Sequence, residues 1–127
     1  MSQSKIFVFG NEGLDSDSLP LKILPNLKKR FPALKFETKD PNEEIDFGKE
    51  SVILDTAEGI KESAVFSDLN SFIPMAKRLT THDFDLYTNL ALLKKMGRLG
   101  PIKIIGVPPG ISEKKALEQV TEIIKSI

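Results

Sequence analysis

Asp17, Asp55 and His82 are the residues whose types and positions are best suited to chemistry in this chain. Asp17 closes the turn-and-cap segment Asn11-Glu-Gly-Leu-Asp-Ser-Asp17, which follows the first apolar run and also carries Glu12 and Asp15. Asp55 ends the apolar run Ser51-Val-Ile-Leu-Asp55, and His82, the only histidine, lies in Thr80-Thr-His-Asp83 just ahead of a helical pattern. Two carboxylates and an imidazole are a reasonable ligand set for a divalent first-row metal such as nickel or zinc. A helix N-terminus beside His82 disfavours the imidazolium and keeps the ring neutral, as a ligand must be. The same dipole stabilises the charge of Asp17 at the start of the first helix. Each residue also has a purely structural role open to it: Asp17 as an N-cap, Asp55 as a loop carboxylate, His82 as a capping or surface residue.

The elements that must position these groups are legible as hydrophobic patterns. Lys5-Ile-Phe-Val-Phe-Gly10 reads as a buried strand stopped by glycine. A helix is predicted from about Asp17 or Ser18, with Pro20 in its first turn and Leu21, Leu24, Leu27 and Phe31 at helical spacing. Pro25 should kink that helix or delay its start. Residues 33–38 alternate as a second strand, and 39–50 read as a polar loop. The third strand, 51–55, is apolar on successive residues and so expected to be covered on both faces. A weaker fourth strand spans 64–69. About eight residues separate it from Asp55, fewer than a parallel crossover needs, so it should run antiparallel to the third. A helix over 84–96, stopped by Gly97, and a fifth strand over 102–107 follow. The last helix is capped by Ser112 and carries the stripe Leu117, Val120, Ile123, Ile124 and Ile127. Strands alternating with helices predict one three-layer α/β/α domain, residues 1–127, with a mostly parallel sheet. Such sheets bind ligands beyond the carboxyl ends of their strands, where Asp17, Asp55 and His82 are expected.

Composition removes several alternatives. The 127 residues suit one domain. Lys and Arg total 18 and match the 18 Asp and Glu, so no global field draws in nucleic acid or an anionic membrane. The absence of cysteine excludes disulfides, thiolate metal sites and a cysteine nucleophile. The short apolar run near the N-terminus is too little for a signal peptide, and no run approaches a membrane span, so a cytoplasmic protein is expected. Neither the serine-hydrolase elbow nor the phosphate-binding P-loop motif occurs. Lys28-Lys29-Arg30 is explained as cations at a helix C-terminus. Asp55-Thr56-Ala57 resembles the Asp-Thr-Gly of aspartic proteases, but those are all-β.

Two wider resemblances bear on function. Receiver domains of response regulators share the length, the α/β pattern and an aspartate at the end of strand three. They also require an acidic pair directly after strand one, where Gly10-Asn11 stands, and a lysine after strand five, where Val107-Pro108 stands. The second resemblance covers most of the chain. Its residues are Phe9-Gly10-Asn11 followed by Asp15 and Asp17, then Ile53-Leu54-Asp55-Thr56-Ala57, then Thr81-His82-Asp83-Phe84, then Gly106-Val107-Pro108-Pro109. In this order and spacing the sequence resembles the maturation proteases of [NiFe] hydrogenases.

That resemblance implies a five-stranded mixed sheet of the phosphorylase/hydrolase-like type with an antiparallel fourth strand. It implies an endopeptidase that recognises nickel already installed in the precursor of a hydrogenase large subunit and cleaves a C-terminal extension from it. Asp17, Asp55 and His82 fall on the family's three metal-contacting positions, with a water or the scissile carbonyl polarised by the metal. The nickel is expected to arrive with the protein substrate, and no other cofactor is expected. Where the family has an adjacent acidic pair followed by glycine, this chain has Ser16-Asp17-Ser18, and Val107 replaces a common glutamine. A competing expectation is a non-catalytic relative of the same fold that kept a metal- or partner-binding cleft.

Overall fold

The computed structural model describes residues 5–10, 13, 17–38, 51–68, 72, 90–92, 94–97 and 101–127. In chain order these form β1 (Lys5–Val8), α1 (Leu19–Arg30), β2 (Lys35–Thr38), β3 (Ser51–Thr56), β4 (Ala64–Phe66), β5 (Ile102–Val107) and α2 (Glu113–Ser126), with residues 90–92 and 94–95 also helical. The strands make one sheet in the order β2-β1-β3-β5-β4. The pairs β1–β2, β1–β3 and β3–β5 are parallel, and β4 runs antiparallel to β5. The short connection after β3 therefore does reverse the chain, as its length predicted.

The sheet is apolar on both faces because its central strands are covered on both sides. Ile6, Val8, Val52, Leu54, Ile105 and Val107 face α1 and α2, where they meet Ile23, Leu27, Ala116 and Val120 in one cluster. The alternate residues Phe7, Phe9, Ile53, Ile102 and Ile104 pack on the other face with Ala57, Phe72 and Leu90. The domain is thus the predicted three-layer sandwich around a five-stranded mixed, mostly parallel sheet.

Local chemistry sets the helix ends. The Ser112 hydroxyl accepts from the Lys115 N–H at 3.1 Å, capping α2 as its sequence predicted. Val120 and Ile124 of the apolar stripe are buried, and Leu117, Ile123 and Ile127 pack half-buried beside them. Arg30, in the last turn of α1, donates to the Thr121 hydroxyl of α2 at 3.1 Å and ties the two helices together. Pro25 does not delay α1, which begins directly after Ser18 and continues through the proline to Arg30. Pro25 lies on the exposed side, so the Leu21 carbonyl that loses its helical donor does so away from the core. At the far end of the chain's other helical stretch, Gly97 adopts φ 71°, the left-handed stop expected there. The rest of that predicted helix lies outside the described residues. Strand bounds differ slightly from the pattern: residues 33 and 34 belong to the turn before β2, and β4 ends at Phe66 rather than at residue 69.

Candidate active site at the switch point of the sheet

From β1 the chain passes through α1 to β2 on one side, and β3 then pairs with the opposite edge of β1. The point between β1 and β3 is therefore where the winding reverses. Segments leaving two such strands turn to opposite faces and leave a crevice beyond the carboxyl ends. The segment after β1 leads to α1 on one face; the residues after β3 begin with Ala57, which packs on the other. Asp17 stands at the end of the first segment and Asp55 near the end of β3, so the two residues lie at the carboxyl edge of the sheet on either side of the switch point.

Asp17 is 4% exposed and immediately precedes Ser18, the N-cap of α1. The Ser18 side chain makes no cap hydrogen bond; its carbonyl accepts from the Leu21 and Lys22 N–H groups, both at 3.0 Å. Gly10 lets this turn close. A Cβ on Gly10 would stand 2.9 Å from the Asp17 carbonyl oxygen and 3.2 Å from Leu21 Cγ. The glycine thus admits the backbone of Asp17 against the end of β1.

Asp55 is 7% exposed, and its Oδ1 accepts from the N–H of Thr56 at 2.8 Å. By strand alternation its side chain shares the face of Ile53. Its ladder partner on β5 is Gly106. On the β1 side, Phe9 N–H donates to the Leu54 carbonyl at 2.9 Å, the closing bond of the Val8–Leu54 pair with which the β1–β3 ladder ends. On the β5 side the buried carboxylate therefore has a bare backbone for a neighbour. A Cβ on Gly106 would meet Ala57 Cβ at 2.7 Å, Phe66 Cε2 at 3.1 Å and Phe72 Cε1 at 3.3 Å. Phe66 and Phe72 meet edge to face over this glycine, their centroids 5.2 Å apart.

His82 lies outside the described residues, as do Asn11, Glu12, Asp15 and the Thr80–Asp83 segment. The described residues that flank it in sequence, Phe72 and Leu90, are both buried on the Asp55 face. Among the described residues, no three His, Cys, Asp or Glu side chains gather into a metal-binding group. The donors that are described, two buried carboxylates, are hard oxygen ligands compatible with a divalent ion that brings further ligands of its own. The contributions of Gly10 and Gly106 were not identified from the sequence, although both glycines stand in the quoted motifs. Their signal was there: a glycine beside a predicted site strand marks close backbone approach.

The chain is similar in structure to several solved maturation proteases over nearly its whole length. The hydrogenase maturating endopeptidase HybD from E. coli matches with a TM-score of 0.63 at 16% identity, over 98% of this chain and 93% of that one. The [NiFe] hydrogenase maturation protease HybD from Thermococcus kodakarensis matches with a TM-score of 0.61 at 19% identity, over 98% of both chains. A hydrogenase 3 maturation protease matches with a TM-score of 0.65 at 17% identity, over 95% of this chain and 88% of that one. No family profile and no curated protein matches at the level of sequence. The chain has the fold of the hydrogenase maturation proteases. No helix among the described residues is long and apolar enough to cross a membrane.

Proposed function

We propose that this protein is a cytoplasmic endopeptidase that removes the C-terminal extension of a nickel-loaded [NiFe] hydrogenase large-subunit precursor. One observation supports the reading: in a fold shared with maturation proteases over nearly the whole chain, two buried aspartates stand at the carboxyl edge of the sheet beside its switch point. A fold alone does not fix an activity, and the carboxylates supply the chemistry that the fold does not.

In this reading Asp17, Asp55 and His82 contact the nickel that the precursor carries, with His82 supplied from the segment between Phe72 and Leu90. Nickel held there polarises the scissile carbonyl or a water. Water adds to the carbonyl carbon, the C–N bond breaks, and the products are a new C-terminal carboxylate and the free amine of the extension. The protein's own part is to orient the substrate. Asp55 is held by the Thr56 N–H, and Asp17 by the turn packed on Gly10. The apolar face that Asp55 shares with Phe7, Phe9 and Ile53 limits water around the charges and strengthens their attraction to a cation.

The test is cleavage of a cognate nickel-loaded precursor, followed by mass spectrometry. Loss of the C-terminal extension with wild type, and its retention with Asp55→Ala and His82→Ala, is expected. An intact precursor after incubation with wild type, given a verified cognate pair, overturns the reading.

A further inference from the structure

The two edges of the sheet differ in what protects them. On β2, Lys35 and Glu37 pair at 3.7 Å, and Lys5 of β1 joins Glu37 at 3.5 Å. Charges of this kind keep an edge from pairing with another chain. At the opposite edge β4 reads Ala64-Val-Phe66, without a charge or a proline, and Val65 is 40% exposed. An antiparallel edge strand turns alternate N–H and C=O groups away from its neighbour. Among the described residues, nothing pairs with those groups on the outer side of β4.

A strand this short holds little by itself, yet β4 is tied at both ends. Just ahead of it, the Ser63 N–H donates to Gln119 Oε1 of α2 at 2.7 Å. Just beyond it, Asp68 pairs at 3.0 Å with Lys94, in the helical stretch whose Leu90 packs on the other face. Both helical layers thus brace one apolar edge, and an arriving strand meets a preformed template. The edge also stands in line with the candidate site. Asp55 pairs with Gly106, and Gly106 with Ala64, so the three form one row across the sheet. A strand added outside β4 would lie three strand spacings from Asp55, about 14 Å, a span of about four or five extended residues.

We propose that the outer edge of β4 docks the C-terminal extension of the precursor as an added strand, held chiefly by main-chain hydrogen bonds. The choice of occupant rests on the protease reading; the bare edge and its row with Asp55 do not. β4 starts beside Gly106, at the carboxyl edge, and runs toward Ile104. An extension that leaves the scissile bond near Asp55 and reaches this edge about five residues later therefore runs parallel to β4. Val65 offers its side chains an apolar contact. A second copy of this chain fits the edge less well. Full antiparallel overlap of two β4 strands would set Glu62 of each copy opposite Asp68 of the other, and like charges so placed repel.

The test places single prolines along the extension of a cognate nickel-loaded precursor. Proline lacks the N–H, and only alternate N–H groups of an added strand face β4; the others face solvent, where proline is tolerated. From about the fourth residue after the scissile bond, KM should rise about tenfold at alternate positions and change less than about twofold between them. In addition, precursor held uncleaved on the Asp55→Asn protein should slow hydrogen exchange at the amides of residues 64–66. An even response to the prolines, with exchange in β4 unchanged, overturns the proposal and leaves cleavage by wild type to support the protease reading. Slowed exchange without any cleavage by wild type would sink the protease reading and leave β4 as the docking edge for that protein. Slowed exchange that grows with protein concentration in the absence of precursor, with dimers in sedimentation, would give the edge to a second copy, and the proposal fails.

Discussion

Asp55 and Gly106 stand opposite one another in the β3–β5 ladder, a buried carboxylate on one strand against a residue with no side chain on the next. The pairing sets a hard steric limit beside the site. Three groups, Ala57, Phe66 and Phe72, already fill the place a Cβ on Gly106 would take. Asp55 therefore borders on a space closed by packing, and a change at Gly106 acts on the site through the residues displaced.

Gly106→Ala should destabilise the fold by about 1–3 kcal/mol, the usual cost of overpacking a core. The new methyl would stand 2.7 Å from Ala57 Cβ, an atom fixed to the backbone and unable to rotate away. Adding Ala57→Gly should recover part of the loss. Denaturant unfolding of the two single variants and the double variant measures this, and strictly additive losses would mean that the two positions do not share the strain.

Gly10→Ala tests the turn that carries Asp17. Its Cβ would press on the Asp17 carbonyl, which is backbone, and on Leu21 of α1. The turn must move, carrying Asp17 with it. The expected stability loss is about 1–3 kcal/mol, and the loss of cleavage should be the larger effect, on the order of a hundredfold for a displacement near 1 Å. Unfolding and cleavage measured on the same preparation separate the two.

How far the sequence foretold this arrangement depends on whether the signal was local. The Ser112 cap, the apolar stripe of α2 and the bounds of β5 were all legible, because each is set by residues within one turn or one strand. The reversal before β4 was legible from connection length alone. The start of β2 was placed two residues early, since alternation does not mark where a turn stops. Asp17 and Asp55 were legible as candidates because strand ends carry sites in such sheets. Their placement on either side of the sheet's switch point was not, because the order β2-β1-β3-β5-β4 is made by pairings between distant segments.

Pro25→Ala should stabilise α1. The helix tolerates the proline on its exposed side, where the Leu21 carbonyl lacks its usual donor. Alanine restores that bond and the better helix former, for a gain of about 1–3 kcal/mol, reduced somewhat by the greater freedom alanine gives the unfolded chain. A rise in melting temperature with cleavage unchanged is the expected result. A fall would mean that rigidity of the unfolded chain outweighs the missing hydrogen bond.

Asp55→Asn separates the charge of Asp55 from its structural bond. The carboxamide oxygen can still accept from the Thr56 N–H, so the 2.8 Å bond that anchors the side chain survives the change. Stability should therefore stay within about 1 kcal/mol of wild type. Asp55→Ala removes that acceptor as well and leaves a buried N–H without a partner, which should cost about 1–3 kcal/mol. Cleavage should respond differently. If Asp55 meets the precursor's nickel as a carboxylate, asparagine loses the charge and retains only a weaker neutral ligand, so both variants should fall by about a hundredfold or more in kcat/KM. Melting curves and precursor cleavage, followed by mass spectrometry, give both quantities. An Asp55→Asn variant that cleaves as wild type does would assign Asp55 to holding the end of β3, and would move the metal contact to other residues of the crevice.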